Sequence, residues 1–118
     1  MGDTAPDARK VVAISSDSMG RGDEELGKVL MRSYLHTLTE VEPRPDTLIF
    51  FNNGVRLGTD DSPALDDLRA IAARGTRLLL CGTCVNAFEL KDRIAVGEIS
   101  NMYAISEAML RAESVINL

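Results

Sequence analysis

Two thiols stand three positions apart in "CGTC", Cys81-Gly82-Thr83-Cys84, and the chain has no other cysteine. The leucines at 78–80 end in Cys81, so the pair falls where a buried strand stops and a helix begins. Four chemistries use such a spacing: a disulfide, half of a metal site, a dithiol redox couple, and a nucleophilic handle for sulfur. A zinc site needs two further ligands, and the single histidine, His36, lines up with Arg32 and Glu40 on a polar helix face, where it reads as solvated. No metal and no organic cofactor is expected. A thioredoxin-like fold carries its CxxC early and needs a downstream cis-proline, whereas no proline follows Pro63 here. That excludes the fold and leaves dithiol chemistry open.

The two thiols are not equivalent. Cys84 is expected to open a helix, where unpaired N–H groups and the positive dipole end would lower its pKa and favour the thiolate. Cys81, at the end of an apolar strand, reads as the more buried and slower thiol, and on its own it is also an ordinary small hydrophobe. Gly82 and Thr83 are small enough for the tight turn that would bring the sulfurs together.

The elements around the motif alternate. Residues 1–9 read as a flexible leader and 10–118 as one domain, a size able to bury a core without staples. "KVVAISS" (10–16), "DTLIFFN" (46–52) and "TRLLLC" (76–81) are β-rich runs. "RIAVGE" (93–98) is a weaker strand and "SVINL" (114–118) closes the chain as another. Between them lie helical patterns. Residues 23–41 carry a stripe of Leu26, Leu30, Tyr34, Leu38 and Val41, widened by Val29, Met31 and Leu35. A second helix has Ser62 as N-cap, Pro63 at its first position and Gly75 as its stop. A short helix runs from Cys84 to about Lys91, and a last one over 101–113 turns Met102, Ile105, Met109 and Leu110 to the core. Strict alternation implies a three-layer α/β/α sandwich with a mainly parallel sheet of about five strands.

Ligands of such sheets gather beyond the carboxyl ends of the strands. "SSDSMGRGD", "NNGV" and "CGTC" meet there, which adds Asp17, Asn52 and Asn53 to the candidate site. Asn52 and Asn53 are also natural turn residues before Gly54. Their amides could donate to an anionic sulfur held over the thiols. The glycines of "GRGDEELG" follow a strand, but Glu25 stands where a dinucleotide fingerprint needs glycine or alanine, and acids would face the pyrophosphate.

Charge and hydropathy narrow the partners. A net charge of −5 disfavours nucleic acid and anionic membranes. No apolar run approaches the roughly 20 residues of a membrane span. No hydrophobic signal core is visible, so a cytoplasmic location is expected, where two thiols would not normally form a structural bridge.

The strings "VVAISSDSMGRGDEELGKVLM", "PDTLIFFNNGV" and "LLLCGTCVNAFELKDRIAVGEISNMY" together resemble the DsrE-like domain of the YedF family, associated with selenium metabolism, within the DsrE/F/H superfamily. The resemblance covers residues 10–118. It implies a sulfur carrier that takes a sulfane sulfur onto a cysteine as a persulfide and relays it to a partner. The reactive cysteine of the superfamily matches Cys84, and Cys81 matches the extra cysteine of the CGTC version. Asn86 and Glu89 depart from the family's usual "LDFYGL" segment. Members often carry a TusA-like domain with a Cys-Pro motif, so the resemblance implies donor and acceptor proteins for sulfur or selenium, TusA-like ones among them, and a homo-oligomer.

The resulting expectation is a cytoplasmic carrier of sulfurtransferase type, with Cys84 as nucleophile and Cys81 releasing or shielding the sulfur. Gly82, Thr83, Asn52, Asn53 and Asp17 would surround it. The alternatives are a dithiol redox protein, and a binding module for a small ligand or partner that needs neither thiol.

Overall fold

The computed structural model describes residues 9–118; the expected leader, apart from Arg9, lies outside the described residues. Five strands form one parallel sheet: β1 (Lys10–Ile14), β2 (Thr47–Phe50), β3 (Arg77–Cys81), β4 (Glu98–Ser100) and β5 (Ser114–Asn117). Their spatial order is β4-β3-β2-β1-β5. Val11 pairs with both Thr47 and Val115, and Leu79 pairs with Ile49 and Glu98, so β1 to β3 are flanked on both edges. The helices are α1 (Glu24–Thr37), α2 (Leu65–Ala73), α3 (Gly82–Ala87) and α4 (Met102–Leu110), with 3₁₀ turns at Asn52–Gly58 and Lys91–Arg93.

Crossover handedness explains the layers. From β1 to β4 the chain advances in one direction across the sheet, so right-handed connections place α1, α2 and α3 on one face. The step from β4 to β5 returns to the far edge, which puts α4 on the opposite face. The core divides accordingly, because successive strand side chains point to opposite faces. Val12, Ile14, Leu48, Phe50, Leu78 and Leu80 pack with Met31, Leu35, Leu68, Ile71 and Val85. Val11, Ile49, Leu79 and Cys81 pack with Ile105. The result is the three-layer α/β/α sandwich with a parallel sheet.

Several local expectations shift. Asp23 caps α1 by accepting from the Leu26 N–H at 3.0 Å, but the buried stripe is Gly27, Met31, Leu35 and Leu38. Leu26, Val29 and Leu30 are exposed, so the helix is rotated relative to the stripe that hydropathy traced, and it ends at Thr37, short of the exposed Val41. The cause is steric: a side chain at position 27 would collide with Ser18, so the smallest residue faces the loop after β1. Helix α2 starts at Leu65; the Ser62 hydroxyl accepts from the Ala64 N–H at 3.1 Å in the turn that precedes it, and Ala64 is the cap residue. Of "RIAVGE", Arg93 ends a 3₁₀ turn and residues 94–97 form a loop with an isolated bridge from Ile94 to Thr59; the fourth strand begins only at its last residue, as Glu98–Ser100. In α4 only Ile105 is fully buried; Met109 is half-buried, and Met102 and Leu110 face outward with Tyr103. One short helix lies over that face of the sheet, seated by Ile105 with the half-buried Ala108 and Met109 beside it.

Candidate functional site at the carboxyl edge of the sheet

β3 ends at Cys81, which is buried and serves as the N-cap of α3 in an extended conformation. The helix then starts at Gly82, two residues earlier than expected, so Cys84 is its third residue and the two thiols share its first turn. Glycine at 82 is a packing requirement. A Cβ there would stand 2.8 Å from the Ser100 carbonyl oxygen, which means β4 could not pass so close to the motif. Thr83 is exposed between the cysteines, and Cys84 is half-buried against both core clusters.

A second segment reaches the sulfur. β2 ends at Phe50, Phe51 donates to the Ile14 carbonyl at 3.0 Å, and Asn52 enters the left-handed region with φ +46°. Asparagine tolerates that conformation better than most residues. The Asn52 backbone N–H donates to the Cys84 Sγ at 3.0 Å. The donor is the backbone N–H, and it reaches the Cys84 sulfur itself. Gly54 locks this turn against β1: a Cβ on it would stand 2.2 Å from the Ile14 carbonyl oxygen.

The electrostatics correct one expectation. Burial pushes the Cys84 thiol above its ordinary pKa; the Asn52 N–H works against this, and the neighbouring Cys81 thiol adds to the rise. The expected lowering relied on a helix dipole, but α3 has only six residues, too few aligned peptides to outweigh the desolvation of the sulfur. Cys84 thus rests mainly as the thiol at neutral pH, with a hydrogen-bond donor already aimed at the anion it forms on ionising.

The other candidates divide. Asn53 Oδ1 accepts from Arg56 Nε at 3.0 Å and so orients that arginine. Asp17 lines a separate cavity with Arg56 and Arg93. Arg56 is the residue that sequence reasoning missed. "NNGVRLG" reads as a loop, yet its 3₁₀ form eclipses residues three apart and sets Asn53 beneath Arg56. His36 is exposed, but its Nδ1 pairs with Asp67 Oδ1 at 3.1 Å and ties α1 to α2. Among the described residues there is no cluster of three or more His, Cys, Asp or Glu side chains able to hold a metal ion. No described helix is long and apolar enough to cross a membrane.

A parallel α/β/α sandwich with an accessible thiol at the carboxyl edge of its third strand defines the class of protein. The chain belongs to the DsrE/DsrF-like family, whose pattern it matches over residues 11–118. No curated protein matches it significantly. Among solved structures it is similar to the ychN protein from E. coli, with TM-score 0.72 and 19% identity over 94% of this chain and 99% of that one. It is also similar to MTH1491 from Methanobacterium thermoautotrophicum, a protein of unknown function, with TM-score 0.67 and 19% identity over 94% and 99% of the two chains. A third likeness is to BT1422 from Bacteroides thetaiotaomicron, a conserved protein of unknown function, with TM-score 0.68 and 11% identity over 99% and 100%. At these identities the likeness concerns the fold.

Proposed function

We propose that this protein is a sulfur carrier of sulfurtransferase type, of the YedF kind within its family, with Cys84 as the atom that accepts the sulfur. The observation that carries the reading is the half-buried Cys84 Sγ, which holds a backbone N–H donor at 3.0 Å and has a second thiol in the same helical turn. In the loading step the Cys84 thiolate attacks the outer sulfur of a donor persulfide. The donor S–S bond breaks, the donor leaves as a thiolate, and Cys84 becomes Cys–S–SH. The Asn52 N–H stabilises the attacking anion, and the Cys84 backbone N–H, in the first turn of α3, adds to it.

Release has two routes. An acceptor thiol takes the outer sulfur and restores the Cys84 thiolate. Otherwise Cys81 attacks the Cys84 Sγ, forming a Cys81–Cys84 disulfide and expelling hydrosulfide; the two electrons lost by the thiols reduce the sulfane sulfur. Residues three apart in a helical turn lie within the Cα separation a disulfide needs. Selenium can replace sulfur in either route.

The donor and acceptor are proteins or small thiols of a cytoplasmic relay, TusA-like domains among them. The carrier works as a homo-oligomer. In support, a groove of about 970 Å³ runs along α4 between exposed Met102, Tyr103 and Leu110, and Ile99 is exposed on the neighbouring edge strand. Apolar residues gathered in this way favour burial against a second copy.

Incubation of the reduced protein with a persulfide donor, followed by intact mass, tests the reading. One added sulfur on the wild type and none on Cys84→Ser supports it. Loss of two hydrogens without added sulfur in the wild type, together with no added sulfur on Cys81→Ser, would favour the dithiol redox reading.

A further inference from the structure

A guanidinium near the thiol is held in place with its ends free. Arg56 Nε donates to Asn53 Oδ1 at 3.0 Å, and Cζ lies 4.3 Å from the centroid of the Phe88 ring. Fixed on one side by a hydrogen bond and on one face by an aromatic ring, the group is pre-oriented. Among the described residues its two terminal nitrogens have no hydrogen-bond or ion-pair partner. Arg56 lines a cavity of about 270 Å³, shared with Asp17, Thr59, Asp61, Ser62 and Arg93.

The charges in that cavity are not all available. Arg93 is neutralised by Asp60 at 3.0 Å and Asp61 at 2.8 Å, and Asp61 also accepts from the Thr59 hydroxyl at 2.8 Å. Asp17 makes no hydrogen bond or ion pair among the described residues. Among the described residues, one cation and one anion on the walls of this small space are left without an ion-pair partner, Arg56 and Asp17.

Two chains of contact tie this space to Cys84. Asn53, which grips Arg56, follows Asn52, whose N–H reaches the sulfur. Phe88, which supports Arg56, lies one turn beyond Cys84 and donates its N–H to the Cys84 carbonyl at 3.1 Å. Neither thiol lines the cavity itself. Side chains four apart on a helix are about 5–6 Å apart at Cβ, so the path from Cys84 through Phe88 keeps the guanidinium within about 15 Å of the thiol.

We propose that the cavity is a subsite for a small zwitterionic sulfur donor, an α-amino-acid thiol bearing a sulfane sulfur. Its carboxylate lies on the free edge of Arg56, its ammonium faces Asp17, and its outer sulfur reaches Cys84. At about 270 Å³ the space falls just below the usual range of ligand sites, about 300–1,000 Å³, so it suits only a small metabolite and not a protein segment. The inference rests on the carrier reading for the transfer itself, in which the donor S–S bond breaks and the donor departs as its thiolate.

Two measurements on the full chain test it. The first asks only whether an anion is drawn to Cys84: rates of Cys84 alkylation by iodoacetate and iodoacetamide are compared by peptide mass mapping. The iodoacetate-to-iodoacetamide ratio should fall about threefold in Arg56→Gln at low salt, and the difference should shrink in high salt, as a charge at this distance requires. An unchanged ratio overturns the assignment whatever the sulfur chemistry.

The second compares loading from cysteine hydropersulfide with loading from the same persulfide capped as its N-acetyl amide. The wild type should prefer the charged donor about tenfold, the size of a charge-assisted contact, and the preference should collapse in Arg56→Gln and in Asp17→Asn. Equal loading by the two donors in the wild type overturns the subsite and leaves the carrier reading intact. Loading by neither overturns both.

Discussion

The hydrogen bond from Asn52 to Cys84 can be removed by conformation alone, because the donor is a backbone group. Asn52 has φ +46°, a region that a β-branched side chain resists. Asn52→Val must either hold the left-handed conformation, at about 1–2 kcal/mol, or relax and turn its N–H away from the sulfur. In the second case the thiolate loses a charge-assisted hydrogen bond, worth about 1.5–3 kcal/mol between charged and neutral partners. At the low end of that range the thiolate fraction at neutral pH falls about tenfold. Asn52→Gly keeps both the conformation and the N–H, so it should behave like the wild type. The assay is iodoacetamide alkylation of Cys84 across the pH range of thiol ionisation, followed by peptide mass mapping. Asn52→Val should move the midpoint upward and slow the neutral-pH rate about tenfold, with thermal stability no more than about 2 kcal/mol lower. Identical profiles for Asn52→Val, Asn52→Gly and the wild type, with Asn52→Val no less stable, would refute the claim that this N–H governs the anion.

Gly54→Ala should destabilise the fold by about 1–3 kcal/mol, since its Cβ would sit 2.2 Å from the backbone oxygen of Ile14 and β1 would have to move; chemical denaturation measures it. His36 has its pKa raised, first by the hydrogen bond to Asp67 and then by that residue's charge. The pair therefore adds stability that is fully present below the unfolded histidine pKa, about 6.5, and is lost as pH rises through the higher folded value. Asp67→Asn should lower the melting temperature more in mildly acidic than in mildly alkaline buffer, and an equal loss at both would contradict the pairing. Cys81→Ser should still load sulfur and retain it longer than the wild type, because the thiol that expels hydrosulfide is gone; the decay of the persulfide by intact mass checks this.

The layer architecture was legible because β1, β2 and β3 are continuous apolar runs punctuated by well-marked helices. The runs "VVAI", "TLIF" and "LLLC" are buried on both faces, and only a parallel sheet under helices does that. What failed was rotation and register at the margins. In α1 the hydropathy of Leu26, Val29 and Leu30 outweighed the quieter signal of Gly27, whose lack of a side chain decides which face meets the β1 loop. β4 was misplaced because Ile94, Ala95 and Val96 are more strand-like than Glu98, Ile99 and Ser100, yet tertiary pairing with β3 selects the latter. That the thiols and Asn52 come together at the strand ends was legible from types and spacing. Arg56 was not, since its position depends on a 3₁₀ turn that "NNGVRLG" does not announce. The direction of the Cys84 shift was misread because desolvation by tertiary neighbours is invisible in a motif.

The central claim is that sulfur resides covalently on Cys84 and moves on. It is tested most directly by loading the reduced protein with an isotopically labelled sulfane donor, removing the donor, and chasing with a second thiol protein. The account predicts that the label maps to the peptide carrying Cys84, reaches at most one atom per chain, and transfers to the acceptor on chase, with none bound to Cys84→Ser. Label found only as free sulfide, with a Cys81–Cys84 disulfide formed from the first turnover and no persulfide at any time, would contradict it.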